Sequence, residues 1–179
     1  MDGLLKKGMY KHHQPRIINS CYFDNSIFSS YHDSEEGVVP RKKVRIRWYN
    51  NTFSFIKETK FSSVEGRYKY SKKMKDISTP IDILKLNYFD NHYGHLSPKL
   101  NITYQREYYL YKNLRITFDQ NINYSLVNSK VINSVYDNEC VMEVKVPIDF
   151  NDDLIEKIIY QPATRFSKYS RGLLLTKLL

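Results

Sequence analysis

The chain has 179 residues and carries 28 Lys and Arg against 19 Asp and Glu, a formal net charge of +9. Its length suits a single domain over residues 1–179, and 41% hydrophobic with 26% charged residues is a globular composition, which excludes a disordered chain. No apolar run approaches the roughly 20 residues of a membrane-spanning helix, and the opening residues lack the regions of a signal peptide, so we expect a cytoplasmic protein.

The excess of positive charge indicates a polyanionic partner, which could be nucleic acid, a phospholipid surface or phosphate groups. Charge alone does not choose among them. The two cysteines, Cys21 and Cys140, are predicted to be buried free thiols, because the sequence has neither a disulfide framework nor a CxxC spacing.

Strands dominate the predicted secondary structure. A single alanine, Ala163, beside 16 Tyr and 9 Phe, favours a sheet over a helical bundle. Alternation of polar and apolar residues predicts strands, in chain order, at 17–24, 41–49, 53–61, 67–71, 101–109, 113–119 and 140–147. The third and fourth of these form a hairpin, with Gly66 at the turn.

Helices are fewer. Thr79 as N-cap and Pro80 at the first helical position start a helix that is predicted to run to about Tyr88. Asn151 can cap a second helix, and a third is predicted over 170–179. The whole pattern predicts an α+β fold, with a largely antiparallel sheet and helices at intervals.

The predicted strands separate charged from apolar residues, because successive side chains on a strand point to opposite faces. In 41–49, Lys43, Arg45 and Arg47 oppose Val44 and Ile46. The other strands place these charged residues on one face: Glu58, Lys60, Lys69, Arg106, Arg115, Asp119, Glu143 and Lys145. One interpretation is an ordinary solvated face. The other is a closed sheet around a cationic tunnel that binds phosphates, since crowded cations repel without an anion and Arg forks match phosphate oxygens.

Seven motifs occur in an order that resembles the VTC domain, the catalytic domain of the vacuolar transporter chaperone polyphosphate polymerase and its bacterial relatives. They are INSCYFDN, RKKVRIRWY, KETKFSSVEGRYK, ITYQREYY, LRITFD, CVMEVKVP and RFSKYSRG, and the resemblance covers about residues 16–172. That family belongs to the triphosphate tunnel metalloenzyme (CYTH-like) superfamily. The resemblance implies an antiparallel β-barrel tunnel with flanking helices, and transfer of the γ-phosphate of ATP to polyphosphate with Mn²⁺ or Mg²⁺.

The resemblance also implies residue roles. The catalytic residues would be Arg45, Arg47, Lys145 and Lys168. The phosphate ligands would be Arg45, Arg47, Lys60, Lys69, Arg106, Arg115, Lys145 and Lys168. The metal ligand would be Glu143, with Glu58 as a second candidate carboxylate. These residue types suit phosphoryl transfer, which needs in-line positioning and neutralised phosphate oxygens.

Family members usually open with a strand of the type R-Y-E-x-K, whereas this chain opens with MDGLLKKGMY. The barrel is therefore expected to be incomplete at its N-terminus, with open strand edges that favour self-association. Lys57 is a smaller departure, because the family usually has an apolar residue there.

Three further features are predicted to be structural. Asp119 is expected to cap a turn or to orient Arg115. Asp24 is expected to end its strand or to orient a basic residue. The adjacent His12 and His13 are expected to be exposed to solvent.

Other functions stay open. A hydrolase of the same fold would use water as the acceptor, and a binding module would hold polyphosphate or a nucleotide without turnover. A membrane protein could be a partner. A nucleic-acid binder ranks last, because the aromatic residues are expected to lie mostly opposite the basic faces.

Overall fold

The computed structural model describes residues 4–5, 8–127, 134–147 and 163–177. The predicted helix capped by Asn151 lies outside these residues. The described elements, in chain order, are β1 (Tyr10–Asp24), α1 (Ser29–Glu36), β2 (Arg41–Tyr49), β3 (Ile56–Ser63), β4 (Gly66–Lys73), α2 (Pro80–Ile83), β5 (Tyr88–Asp90), β6 (Gly94–Tyr111), β7 (Leu114–Leu126), β8 (Ser134–Asp137), β9 (Val141–Lys145) and α3 (Lys168–Lys177).

The nine strands form one sheet, which confirms the predicted antiparallel fold. The strand order is β4-β3-β2-β1-β6-β7-β8, and all pairs are antiparallel. Strand β5 also pairs with β6. Strands β8 and β9 pair with different parts of β7, β8 with residues 122–125 and β9 with residues 115–119. Within the described residues β4 pairs with β3 alone, so the ladder of hydrogen bonds does not join its two ends.

Strand β1 is longer than predicted. It begins at Tyr10 and not near Ile17. Its first residues pair with β6 alone, because the pairing with β2 begins at Ile18. The segment 10–16 lacks an alternating pattern, and two register shifts interrupt its pairing with β6, so periodicity gave no signal for it. His12 and His13 are exposed there, as predicted.

The helices differ from prediction at their ends. Helix α2 starts as predicted, with the backbone N–H of Thr79 donating to Asp82 at 2.9 Å. Its predicted end near Tyr88 is wrong, because α2 ends at Ile83 and Tyr88 begins β5, where it pairs with β6. The terminal helix is confirmed but begins at Lys168.

We call the face of the sheet that carries Ser20, Tyr22, Arg45 and Arg47 the inner face. On the outer face, the residues of one apolar cluster are Cys21, Phe23, Val44, Ile46, Phe55, Ile77, Ile83, Tyr93 and Leu96. Cys21 is buried, as predicted, but the prediction for Cys140 is wrong: this residue is exposed, because it lies before β9 and not within it.

Helix α3 packs across one end of the inner face. Leu173 joins the buried cluster of Ile18, Leu100 and Tyr124. At Gly172 the helix lies so close to the sheet that an added Cβ would clash with the ring of Tyr124. No helix in the described part of the chain is long and apolar enough to cross a membrane. The packing of α3 leaves the middle and the opposite end of the inner face for charged residues.

A candidate phosphate-binding site

Glu58 is the centre of a first cluster of charges on the inner face. It lies opposite Arg45 in the β2–β3 register, and its Oε2 accepts from Nε of Arg45 at 2.7 Å. Its Oε1 accepts from Nζ of Lys69 at 2.8 Å. Burial opposes ionisation of this carboxyl, but Arg45, Lys69 and Arg47 outweigh it and lower the pKa of Glu58 to about 2. The carboxylate therefore stays ionised and holds two cations in place.

Hydroxyl groups fix the two arginines further. Nη1 of Arg45 donates to the Tyr22 hydroxyl at 2.7 Å. Arg47 donates to the hydroxyls of Ser20 and Tyr104, each at 3.2 Å. Burial raises the pKa of Tyr22, but Arg45 and Arg47 outweigh it and lower this pKa to about 8. The bond from Arg47 on β2 to Tyr104 on β6 crosses β1, so side chains of three strands meet on the inner face.

Asp119 is the centre of a second cluster. It is fully buried, and it accepts two hydrogen bonds from Arg106, at 2.5 and 2.7 Å. Lys168, from α3, reaches the same carboxylate at 2.6 Å. The prediction that Asp119 caps a turn or orients Arg115 is wrong: it lies within β7, opposite Arg106 on β6. Arg115 pairs with Lys145 farther along β7 and is exposed.

Glu143 is the most open of the three carboxylates. Its side chain is 45% exposed, and its nearest cations are Arg106 at 3.6 Å and Lys145 at 3.7 Å. Both distances are longer than a hydrogen bond of good geometry. Glu143 therefore keeps oxygen lone pairs free for another ligand.

Two lysines on neighbouring strands complete the inner face. Nζ of Lys43 donates to the Ser167 hydroxyl at 3.0 Å, and burial lowers the pKa of Lys43 to about 8. Lys60 lies opposite Lys43 and Lys69. Partial burial and Arg45 lower the pKa of Lys60, whereas Glu143 on distant β9 acts in the opposite direction. The consecutive residues Ser167 and Lys168 reach Lys43 on β2 and Asp119 on β7, and so connect strands that β1 and β6 separate in the sheet.

The positive charge of this face exceeds its negative charge. Its cations include Lys43, Arg45, Arg47, Lys60, Lys69, Arg106, Lys145 and Lys168, and its carboxylates include Glu58, Asp119 and Glu143. Such an excess repels itself unless an anion neutralises it. Arginine forks bind phosphate oxygens in a bidentate way, so a chain of phosphates suits this surface.

The donor set fits a metal only in part. Within the described residues no group of three His, Cys, Asp or Glu could hold a metal ion. Glu58 and Asp119 are already bonded to cations, whereas Glu143 is open. Mg²⁺ and Mn²⁺ commonly take one or two protein carboxylates and complete their shell with water and substrate phosphates. Glu143 fits that pattern.

The structure brings the predicted residues together on one face, with Arg115 at its edge. Sequence analysis missed the positioning roles of Ser20, Tyr22, Tyr104 and Asp119. Alternation along β1 could have shown that Ser20 and Tyr22 share the face of the arginines. The expectation that aromatic residues lie opposite the basic face is wrong for Tyr22 and Tyr104.

Asp24 is a structural residue without a basic partner among the described residues. It ends β1 and accepts from the backbone of Ser30 and Tyr31 in α1, at 3.1 Å each. The Tyr169 hydroxyl of α3 donates to it at 2.7 Å. The expectation that it ends its strand is confirmed, and it also ties two helices to the sheet.

The antiparallel sheet and its concave basic face define a triphosphate tunnel fold of the CYTH-like type. The sequence profile described as the VTC domain matches residues 4–177, and the chain belongs to this family. No curated protein sequence matches the chain.

Two solved structures share the fold. One is a candidate adenylate cyclase of Bacillus halodurans, with a TM-score of 0.55, 12% identity, and coverage of 88% of this chain and 82% of that one. The other is a candidate adenylyl cyclase of Hippeastrum that has a dominant triphosphatase activity. Its TM-score is 0.53 and its identity 11%, and the match covers 97% of this chain and 87% of that one.

Proposed function

We propose that this chain is a metal-dependent polyphosphate polymerase, an enzyme that transfers the γ-phosphate of ATP to a polyphosphate chain on the inner face. The observation that carries the proposal is the excess of positioned cations on a concave face. Membership of the VTC domain family supports it, since family members of known activity catalyse this transfer. We also propose that residues 1–179 form one domain.

In the proposed reaction, a terminal oxygen of the polyphosphate chain attacks the γ-phosphorus of ATP. A new P–O bond forms, the bond to the β-phosphate oxygen breaks, and ADP leaves. Arg45, Arg47 and Arg106 would bind non-bridging oxygens, because buried partners already fix their orientation. The other proposed phosphate ligands are Lys60, Lys69, Arg115, Lys145 and Lys168.

Glu143 is the proposed metal ligand, together with phosphate oxygens of the substrate. Glu143 would hold a Mn²⁺ or Mg²⁺ ion there, and the ion would supply positive charge to neutralise the phosphate oxygens of the substrate. Glu58 stays a second candidate ligand, but a metal there would have to displace Lys69 or Arg45. We therefore assign Glu58 to the positioning of Arg45.

Hydrolysis of tri- or polyphosphate is the second candidate. The Hippeastrum protein that shares the fold has a dominant triphosphatase activity. The same cations would bind the substrate, and water would replace the polyphosphate chain as the acceptor. A module that binds polyphosphate without turnover is the remaining alternative.

Incubation of the purified chain with ATP and Mn²⁺, with and without pyrophosphate as primer, tests these functions. Chain length on a gel and released orthophosphate are both measured. The proposal predicts chains that a polyphosphatase degrades, and orthophosphate without chain growth would support the hydrolase. Arg47→Ala should lower turnover by at least about a hundredfold. Lys72→Ala, an exposed lysine on the outer face of β4, should leave turnover unchanged.

A further inference from the structure

Arg16 is a cation on the inner face that none of the assigned roles uses. It lies opposite Arg106 in the β1–β6 register, and regular pairing continues from there through Ile18 to Ser20, which binds Arg47. Arg16 is therefore on the same face as the phosphate-binding arginines. It lies four residues before Ser20, about 13 Å along the strand in the direction away from the apolar cluster that α3 covers.

Aromatic rings position the Arg16 guanidinium. Its central carbon is 5.9 Å from the ring centroid of Tyr49 and 5.7 Å from that of Tyr108. Both rings are within the range of a cation–π interaction. The rings of His13 and Tyr108 meet edge to face, with their centroids 5.7 Å apart. These contacts orient the guanidinium group without using its N–H donors.

The N–H donors of Arg16 have no partner among the described residues: the side chain is exposed and makes neither an ion pair nor a hydrogen bond there. Arg106 lies directly across the ladder from Arg16, and Asp119 already compensates its charge. A polyanion that reaches from Arg106 to Arg16 would find free donors on Arg16.

We infer that Arg16 extends the phosphate-binding surface past Arg106, away from Arg45 and Arg47, and binds polyphosphate chains too long to be contained around Arg45 and Arg47. This inference rests on the proposed function for the identity of the ligand. It gives the protein a preference for long chains over pyrophosphate, because a pyrophosphate bound at Arg45 and Arg47 does not reach Arg16.

Binding of pyrophosphate and of long-chain polyphosphate, measured by calorimetry at constant ionic strength, tests the inference. Arg16→Ala should weaken binding of long chains by about tenfold and leave pyrophosphate binding unchanged. Arg16→Lys, which keeps the charge and loses the fork, should give a smaller loss. The matched control is Lys11→Ala, an exposed cation of the same strand that lies opposite Tyr109 on the outer face. It should change neither affinity.

Equal losses for both ligands, no loss for long chains, or the same loss in Lys11→Ala would overturn the inference. Failure of native protein to bind long chains would also overturn it. Failure of the proposed function has a different signature: native protein would bind long chains in the Arg16-dependent way but would not lengthen them from ATP.

Discussion

Glu58 shows how one buried carboxylate organises several cations. Its side chain is only 5% exposed, and removal of one partner from a buried ion pair leaves an uncompensated charge. Without Glu58, Arg45 and Lys69 would lose the group that holds them in place. The stability of the protein should therefore change with pH in the range where Glu58 takes up a proton.

The pKa of Glu58 is lowered from its ordinary value of 4.5 to about 2. A lowered carboxyl pKa stabilises the folded state above the ordinary value, and the contribution is lost as pH falls from about 4.5 to about 2. The free energy of unfolding, measured by urea denaturation, should be higher for the native protein than for Glu58→Gln. This difference should fall by about 3 kcal/mol as the pH is lowered across this range. Glu36→Gln, at an exposed position of α1, should show no such change. If the difference in unfolding free energy between the native protein and Glu58→Gln does not change with pH, the ion pair contributes little to stability.

Glu143 is the residue on which the metal proposal depends. Because its oxygens are open and those of Glu58 and Asp119 are engaged, Glu143→Gln should raise the Mn²⁺ concentration for half-saturation by at least about tenfold in the presence of tripolyphosphate. Electron paramagnetic resonance of Mn²⁺ measures this binding without turnover. Glu139→Gln, another exposed carboxylate, is the control. Unchanged Mn²⁺ binding in Glu143→Gln would exclude this residue as the ligand.

Among the elements, α3 connects packing to the site. The helix carries Lys168 to Asp119, and Arg171 binds Asp137 at its other side. Tyr169 stacks on Tyr22, with ring centroids 4.9 Å apart. A small displacement of α3 therefore changes both the core and the charges of the inner face.

Gly172→Ala tests this connection. Alanine favours a helix by about 1 kcal/mol over glycine, but its Cβ would clash with Tyr124 and Leu100, and overpacking costs about 1–3 kcal/mol. We expect a lower free energy of unfolding and weaker tripolyphosphate binding, because Lys168 moves with the helix. The control is Leu174→Ala, on the exposed side of α3, with no loss of binding. Native stability together with native binding in Gly172→Ala would contradict this account of α3.

The sequence predicted elements whose pattern is local. Alternation in β2 placed Arg45 and Arg47 on one face, and the capping signal at Thr79 located the start of α2. Helix α1 was missed because its polar sequence lacks an apolar stripe, and it is held by Asp24 from another element. The partner of Asp119 could not be predicted, since it depends on the β6–β7 register and on where α3 crosses the sheet.

At the scale of the whole molecule, the curved sheet places cations from strands β1, β2, β3, β4, β6 and β9 and from helix α3 around one concave face. Helix α3 covers one end of this face, and Arg16 lies outside the part that α3 covers. A linear phosphate chain fits this arrangement, because its charge is spread along its length. The shape of the fold and the form of the proposed ligand therefore agree.

The most direct test of the central claim follows the γ-phosphate of ATP. Purified protein is incubated with Mn²⁺ and pyrophosphate, with ATP labelled either at the γ- or at the α-phosphate. The account predicts that the γ-label enters a chain that a polyphosphatase degrades, while the α-label stays in ADP. Recovery of the γ-label only as orthophosphate, or only in unreacted ATP, would contradict it.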